Sequence, residues 1–73
     1  MVKYPVVEVI WNDACSSSQY DDHGLIQLRT VGYLVKEDED CITLAQEVSE
    51  GGRYRHSMSI PKSAVVKRVR YRR

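Results

Sequence analysis

The chain has 73 residues, a hydrophobic content of 42% and a formal net charge of +1. This length allows one domain with a small core, and two cysteines are too few for a disulfide framework. No cysteine or histidine spacing fits a zinc site, no apolar run reaches the roughly 18 residues of a transmembrane helix, and the N-terminus lacks the apolar centre of a signal peptide. We therefore predict a single domain over residues 1–73 in the cytoplasm, without a metal, a cofactor or a membrane partner.

A domain of this size is near the lower limit for folding alone, because it buries only about 60% of the surface that its unfolded chain exposes. Such domains often gain stability from disulfides, metals or self-association. Since the sequence offers no pattern for the first two, we predict that the chain forms a homo-oligomer, through exposed edge strands or a shared face.

The charges are strongly segregated along the chain. Residues 1–50 hold all ten acidic residues and three basic ones, a net charge of −7, whereas residues 51–73 hold eight basic residues and no acid, a net charge of +8. Either the acidic and basic strands pair within one fold, or the basic end meets phosphate or an acidic partner. The tail over about residues 67–73 is the densest part of this basic end.

The first part of the chain predicts a strand followed by a long loop. Residues 5–11 are rich in β-branched residues and place Val7, Val9 and Trp11 on one face of a strand. Residues 12–24 are polar and carry many turn formers, which predicts a loop of a length that often has a function.

Period-two alternation predicts four more strands, and turn-forming residues separate them. These strands cover residues 25–35, 41–48, 54–60 and 65–71. Gly32 inside the second strand predicts a sharp bend, and residues 61–64 predict one 3-10 turn before the last strand.

Five short strands with tight turns predict an all-β fold, a small, strongly bent, five-stranded barrel. In its last strand, Val65, Val69 and Tyr71 are predicted to face one way. Arg68 and Arg70 are predicted to face the other way.

The bent strand and the corner before the last strand resemble those of Sm/Hfq-like and Src-homology-like barrels. The pattern Gly32-x-Leu34-x-x-x-Asp38 looks like the first Sm motif, and residues 60–66 look like the 3-10 turn between the last two strands of both barrel types. The resemblance covers about residues 25–70. Because the asparagine that Sm proteins use to contact a base has no counterpart here, the resemblance implies the barrel rather than base recognition.

A second resemblance covers the whole chain. The Val-Glu-Val-Ile-Trp start over residues 7–11, the serine-rich loop, and the segments 31–35 and 60–63 look like short proteins of tailed bacteriophages. The resemblance implies an accessory protein that acts inside a bacterial host cell. Many phage proteins of this size bind and disable host machinery, including defence signals built from nucleotides, so an anti-defence role is the expectation.

We predict that the loop is a solvated polar segment rather than a metal site or a catalytic site. Asp13, Asp21, Asp22 and His23 offer oxygen and nitrogen ligands, but their spacing matches no calcium loop or zinc motif. Cys15 lies beside serines, but a catalytic cysteine needs a base within hydrogen-bond reach and an oxyanion site that excludes water. A barrel of this size has little room for such a site, so we predict no enzymatic activity.

Basic and aromatic residues supply the candidate ligand site. Guanidinium groups pair well with phosphate oxygens, and the rings of Trp and Tyr provide stacking surfaces for a base. The candidate ligand-binding residues are Trp11, Asp13, Tyr20, His23, Arg53, Tyr54, Arg55, Arg68 and Arg70.

The predicted function is binding: an oligomer holds a small phosphorylated ligand, such as a nucleotide signal, between protomers. Two alternatives stay open at this point. In the first, the barrel binds RNA or DNA and its basic tail follows the backbone, so that affinity falls steeply with salt. In the second, the protein is an adaptor that inhibits a host protein through the acidic turn over residues 37–40.

Overall fold

The computed structural model describes residues 3–15 and 24–71. Its strands are β1 (Val6–Cys15), β2 (Gly24–Glu37), β3 (Cys41–Val48), β4 (Tyr54–Pro61) and β5 (Val65–Tyr71), and a 3-10 turn covers Lys62–Ala64. The five strands pair antiparallel in one sheet, in the order β4-β3-β2-β1-β5. The predicted all-β fold is confirmed, and no helix in the described ranges is long and apolar enough to cross a membrane.

The prediction of a loop over residues 12–24 is wrong at both ends of this range. Residues 12–15 continue β1 and pair with residues 24–27 of β2, while residues 16–23 lie outside the described residues. The strand propensity of a residue depends strongly on its neighbours. The backbone ladder of this hairpin therefore continues through residues whose composition favours a turn.

The molecule is elongated because this hairpin extends beyond the rest of the sheet. Pairing of β1 with β5 ends at Trp11, and pairing of β2 with β3 begins only at Tyr33. The radius of gyration is 13.5 Å, compared with about 11 Å for a compact domain of this length. The far end of the hairpin is thus a two-stranded ribbon within the part of the chain that the structure describes.

The core lies on one face of the sheet and joins β1 to β3 and β4, two strands with which β1 does not pair. Val7 and Val9 of β1, Ile42 and Leu44 of β3, and Ile60 of β4 form one buried cluster. Since β3 and β2 separate β4 from β1 in the strand order, the sheet must bend for Ile60 to reach the two valines. The side chains of Trp11, Leu34 and Val65 pack against the cluster and are partly buried.

Gly32 allows a close approach of two strands. A Cβ atom built on it would lie 2.9 Å from the carbonyl oxygen of Ala45 and 3.2 Å from the Cβ of Leu44. The irregularity in the register of β2 with β3 comes slightly later, between Leu34 and Lys36. The glycine at this position therefore makes room for β3, as glycines within strands often do.

The prediction of which residues share a face of β5 is correct for Val69 and Tyr71 but wrong for Val65. Val65 pairs with Trp11, whereas Lys67 pairs with Ile10, so the register shifts by one residue between these pairs. Paired residues of antiparallel strands share a face. The shift places Val65 on the core face, opposite to the face of Val69 and Tyr71, with which it was predicted to align.

Candidate functional site

A shallow groove of about 750 Å³ lies beside the turn that joins β3 to β4. It contains three of the predicted ligand-binding residues, which come from the turn and the start of β4. The residues that line it are Tyr33, Gln46, Glu47, Val48, Ser49, Arg53, Tyr54 and Arg55.

The turn itself is held by backbone and hydroxyl hydrogen bonds. The amide of Ser49 donates to the carbonyl of Arg53 at 2.7 Å, and the amide of Gly52 donates to the carbonyl of Ser49 at 3.0 Å. The hydroxyl oxygen of Ser49 accepts the amide of Arg53 at 3.1 Å. Gly52 has a φ of 88°, a conformation that glycine adopts without steric cost. The backbone of Arg53 is therefore fixed at the edge of the groove.

Glu47 contacts two side chains of β4. It lies opposite Arg55 in the register; the Nε of Arg55 donates to its carboxylate, and the Nε2 of His56 lies 3.8 Å from the same oxygen. The hydrogen bond from Arg55 lowers the pKa of Glu47. Neighbouring strand residues normally point to opposite faces, but His56 has a φ of 56°. This left-handed backbone lets it share the carboxylate with Arg55.

Arg53 is the cation of the groove that has no acidic partner among the residues the structure describes. Within the described ranges, no carboxylate lies within ion-pair distance of its guanidinium group. Tyr54, the next residue, is exposed. A guanidinium group without an acidic partner beside an exposed phenol ring provides both a phosphate-binding group and a stacking surface.

Arg68 lies elsewhere and is already bound to a carboxylate. Its two terminal nitrogens donate to the two oxygens of Glu37 at 3.1 and 2.9 Å. The Nζ of Lys62 lies 2.9 Å from one of the same oxygens. This ion triad ties the end of β2 to the 3-10 turn and to β5, so here the acidic and basic parts of the chain pair within one fold.

The ion triad makes stability depend on pH. The hydrogen bonds from Arg68 and Lys62 lower the pKa of Glu37 from 4.5 to about 2. A carboxyl group with a depressed pKa stabilises the fold above its unfolded pKa, and this contribution is lost as the pH falls towards the folded value. We expect Glu37→Gln to lower the free energy of unfolding by about 1 kcal/mol at pH 7, since the triad is partly solvent-screened.

Urea unfolding at pH 7, 5, 4 and 3 measures this effect. The difference between wild type and Glu37→Gln should shrink across the acidic range. Glu39→Gln is the matched control, because Glu39 is an exposed acid of the same turn without an ion pair among the described residues. A difference that stays constant from pH 7 to pH 3 would contradict the assignment to charge.

The other predicted site residues that the structure describes do not join the groove. Trp11 donates from Nε1 to the Oγ1 of Thr30 at 2.9 Å and packs at the edge of the core. Asp13 lies in β1 rather than in a loop, and Arg70 is exposed on β5, opposite Val7. Tyr20 and His23 lie outside the described residues.

Tyr33 and Glu47 line the groove but were not among the predicted ligand-binding residues. Tyr33 is distant along the chain, and it joins the groove because β2 and β3 pair at Tyr33 and Ala45. Glu47 faces Arg55 only because the turn has its particular length. The predicted bounds of β3 and β4 indicated that Glu47 and Arg55 lie on neighbouring strands of one hairpin. The strand register was needed to show that they face each other.

Within the described ranges, no three metal-binding side chains come together in one group. Comparison with protein-family models, with curated proteins and with solved structures finds no significant match to this chain.

Proposed function

We propose that this protein is a non-enzymatic binding protein that self-associates and sequesters a small phosphorylated ligand, such as a nucleotide. The observation that carries the proposal is the groove beside the β3–β4 turn, which combines Arg53, Arg55, Tyr33 and Tyr54. Cations and aromatic rings in one concave surface match the two chemical parts of a nucleotide. In this arrangement, Arg53 binds the phosphate and an exposed tyrosine ring stacks on the base.

The proposal extends to the fold. We infer that the bent sheet belongs to the small barrels of the Sm or Src-homology kind. The long, irregular β2, the strand order and the 3-10 turn before β5 support this inference. The core cluster adds support, because it brings β4 towards β1 across the sheet.

The biological setting is proposed from the sequence alone. We propose that the chain is a bacteriophage accessory protein that acts in the cytoplasm of a bacterial host and removes a nucleotide defence signal. The resemblance of the whole chain to short proteins of tailed phages supports this setting.

Arg53→Ala tests the proposed site. Isothermal titration calorimetry with ATP as the probe should show binding to the wild type and roughly tenfold weaker binding to the variant, because one charge-assisted contact to phosphate is lost. Arg70→Ala is the matched control, since it removes an exposed arginine outside the groove. We expect its affinity for ATP to equal that of the wild type.

Two results would contradict the proposed site. Absence of ATP binding at millimolar concentration would overturn nucleotide sequestration in this groove. Equal losses from both arginine variants would move the contact from the groove to the general positive charge of the chain.

Nucleic-acid binding is the second candidate, and the exposed Lys67 and Arg70 on the edge strand β5 favour it. A 20-nucleotide single-stranded RNA is the suitable probe. Under this alternative, Arg70→Ala should weaken RNA binding more than Arg53→Ala does, and affinity should fall steeply between 50 and 200 mM salt, by a factor on the order of 10 per two phosphate contacts.

A further inference from the structure

His56 has an unusual backbone conformation within the edge strand β4. Its φ of 56° lies in the left-handed region, and no other non-glycine residue of the described ranges has a positive φ. Most side chains avoid this region because the Cβ atom approaches the following carbonyl oxygen, although histidine and asparagine enter it more readily than others. The ladder of β3 with β4 pairs the residues on both sides of His56, Arg55 with Glu47 and Ser57 with Ala45. The strand therefore continues past one strained residue.

This conformation brings two basic side chains to one carboxylate oxygen. The Nε of Arg55 donates to Oε1 of Glu47, and the Nε2 of His56 lies 3.8 Å from the same oxygen. Consecutive residues of a regular strand point to opposite faces, so a regular backbone at His56 would separate its ring from Arg55. Backbone strain is retained most often where it serves a site. Here it places an imidazole ring beside the contact that holds Arg55.

The shared carboxylate belongs to the groove. Glu47 and Arg55 both line it, and Glu47 is the one acid among its lining residues in the described part of the chain. The side chains of Arg55, His56 and Glu47 are 74%, 69% and 53% exposed, so protons and ligands reach all three. While His56 is neutral, Glu47 offsets the charge of Arg55. Arg55 is therefore a second guanidinium of the groove whose contact with phosphate is opposed by an acid.

Histidine is the group at this end of the groove that changes its charge near neutral pH. The hydrogen bond from Arg55 lowers the pKa of Glu47 from its ordinary value of 4.5, so this carboxylate stays ionised above pH 5. Arginine and tyrosine keep their charge state between about pH 5 and 8, whereas the ordinary pKa of histidine, about 6.5, lies within this range. The other titratable residues that line the groove are Arg53 and Tyr54 beside His56 in the chain, Arg55, and Tyr33 from β2.

We propose that protonation of His56 transfers the carboxylate of Glu47 from Arg55 to His56 and thereby makes Arg55 available to phosphate. Both ring nitrogens of an imidazolium are donors, and a charged donor forms the stronger hydrogen bond with a carboxylate. The Nε of Arg55 then loses its acceptor, and the net charge of the three side chains rises by one. The effect on ligand binding rests on the proposed function, whereas the transfer itself is a property of the free protein.

Cyclic AMP is the suitable probe for the effect on binding. Its phosphodiester keeps a single charge between pH 5.5 and 8, whereas a terminal phosphate such as that of ATP titrates near pH 6. Isothermal titration calorimetry should show roughly threefold tighter binding at pH 5.5 than at pH 8, the gain expected from one exposed contact between opposite charges. Glu47→Gln should bind cyclic AMP at pH 8 at least as tightly as the wild type does at pH 5.5.

Two asparagine variants provide the matched comparison. His56→Asn should lose the pH dependence, because asparagine accepts the left-handed backbone but does not titrate. His23→Asn removes the other histidine of the chain and should keep the pH dependence. Circular dichroism checks that each variant is folded. A pH dependence that persists in folded His56→Asn, or that disappears in folded His23→Asn, would overturn the assignment to His56.

Nitrogen-15 NMR of the free protein between pH 5.5 and 8 follows the transfer without a ligand. The chemical shift of the Arg55 Nε should change with the same midpoint as the ring signals of His56, and it should stay constant in His56→Asn. If His56→Asn is unfolded, Glu47→Gln takes its place, since it removes the shared carboxylate. A constant Arg55 signal in the wild type would overturn the transfer. A changing signal without cyclic AMP binding at any pH would confirm the transfer and contradict the proposed function instead.

Discussion

Replacing Ile60 by alanine is expected to lower the free energy of unfolding by about 3 kcal/mol. Ile60 is 0% exposed, and it connects the edge strand β4 to the valines of β1 in the core. Alanine removes three carbon atoms from the cluster and leaves a cavity that the bent sheet cannot fully close. A domain of this length has a total stability of only roughly 4–10 kcal/mol, so the variant should lose a large share of its stability.

Urea unfolding followed by circular dichroism measures this loss, and Met58→Ala provides the control. Met58 lies two residues earlier on the same strand but is 49% exposed, so its truncation should change stability by less than about 0.5 kcal/mol. An equal effect of the two substitutions would contradict the burial of Ile60 and the exposure of Met58 on this strand.

The second large effect is expected at Gly32. Alanine at this position should lower the free energy of unfolding by about 2–3 kcal/mol. The new methyl group would lie 2.9 Å from the carbonyl oxygen of Ala45, and a backbone oxygen that belongs to a sheet ladder cannot move aside as a flexible side chain can. The Cβ of Leu44, at 3.2 Å, blocks the other direction, so β2 and β3 must separate locally.

Gly51→Ala is the matched control for this substitution. A Cβ atom at Gly51 would meet only the hydroxyl oxygen of Ser49, at 3.9 Å, which is an ordinary contact distance. The same exchange should therefore be neutral there or stabilise by roughly 0.5 kcal/mol, because alanine restricts the unfolded chain more than glycine does. Thermal unfolding of the two variants in parallel would refute the close approach if Gly32→Ala melted at the wild-type temperature.

These predictions concern the scaffold on which the groove depends. Gly32 is followed by Tyr33, which lines the groove and pairs with Ala45. Separation of β2 from β3 would move this tyrosine away from the arginines of β4. A folded Gly32→Ala variant should therefore also bind the ATP probe more weakly than Gly51→Ala does.

Local sequence patterns were sufficient to predict most of the elements. The bounds of β3 and β5, the start of β4 and the 3-10 turn follow from period-two alternation between clear turn formers. The core positions Val7 and Val9 follow in the same way, because alternation places them on one face of β1. The segment of Arg53, Tyr54 and Arg55 stood out by composition alone, and the three residues do line one groove.

The sequence alone determined that the chain forms β-strands separated by turns, since a two-residue period and the turn residues are local properties. The tertiary structure decided what depends on register. It extended β1 through the polar residues 12–15, turned Val65 onto the core face, and paired Arg68 with Glu37. A shift of one residue moves every side chain to the other face, and no local pattern shows it. Which arginines meet an acid was therefore settled by strand pairing.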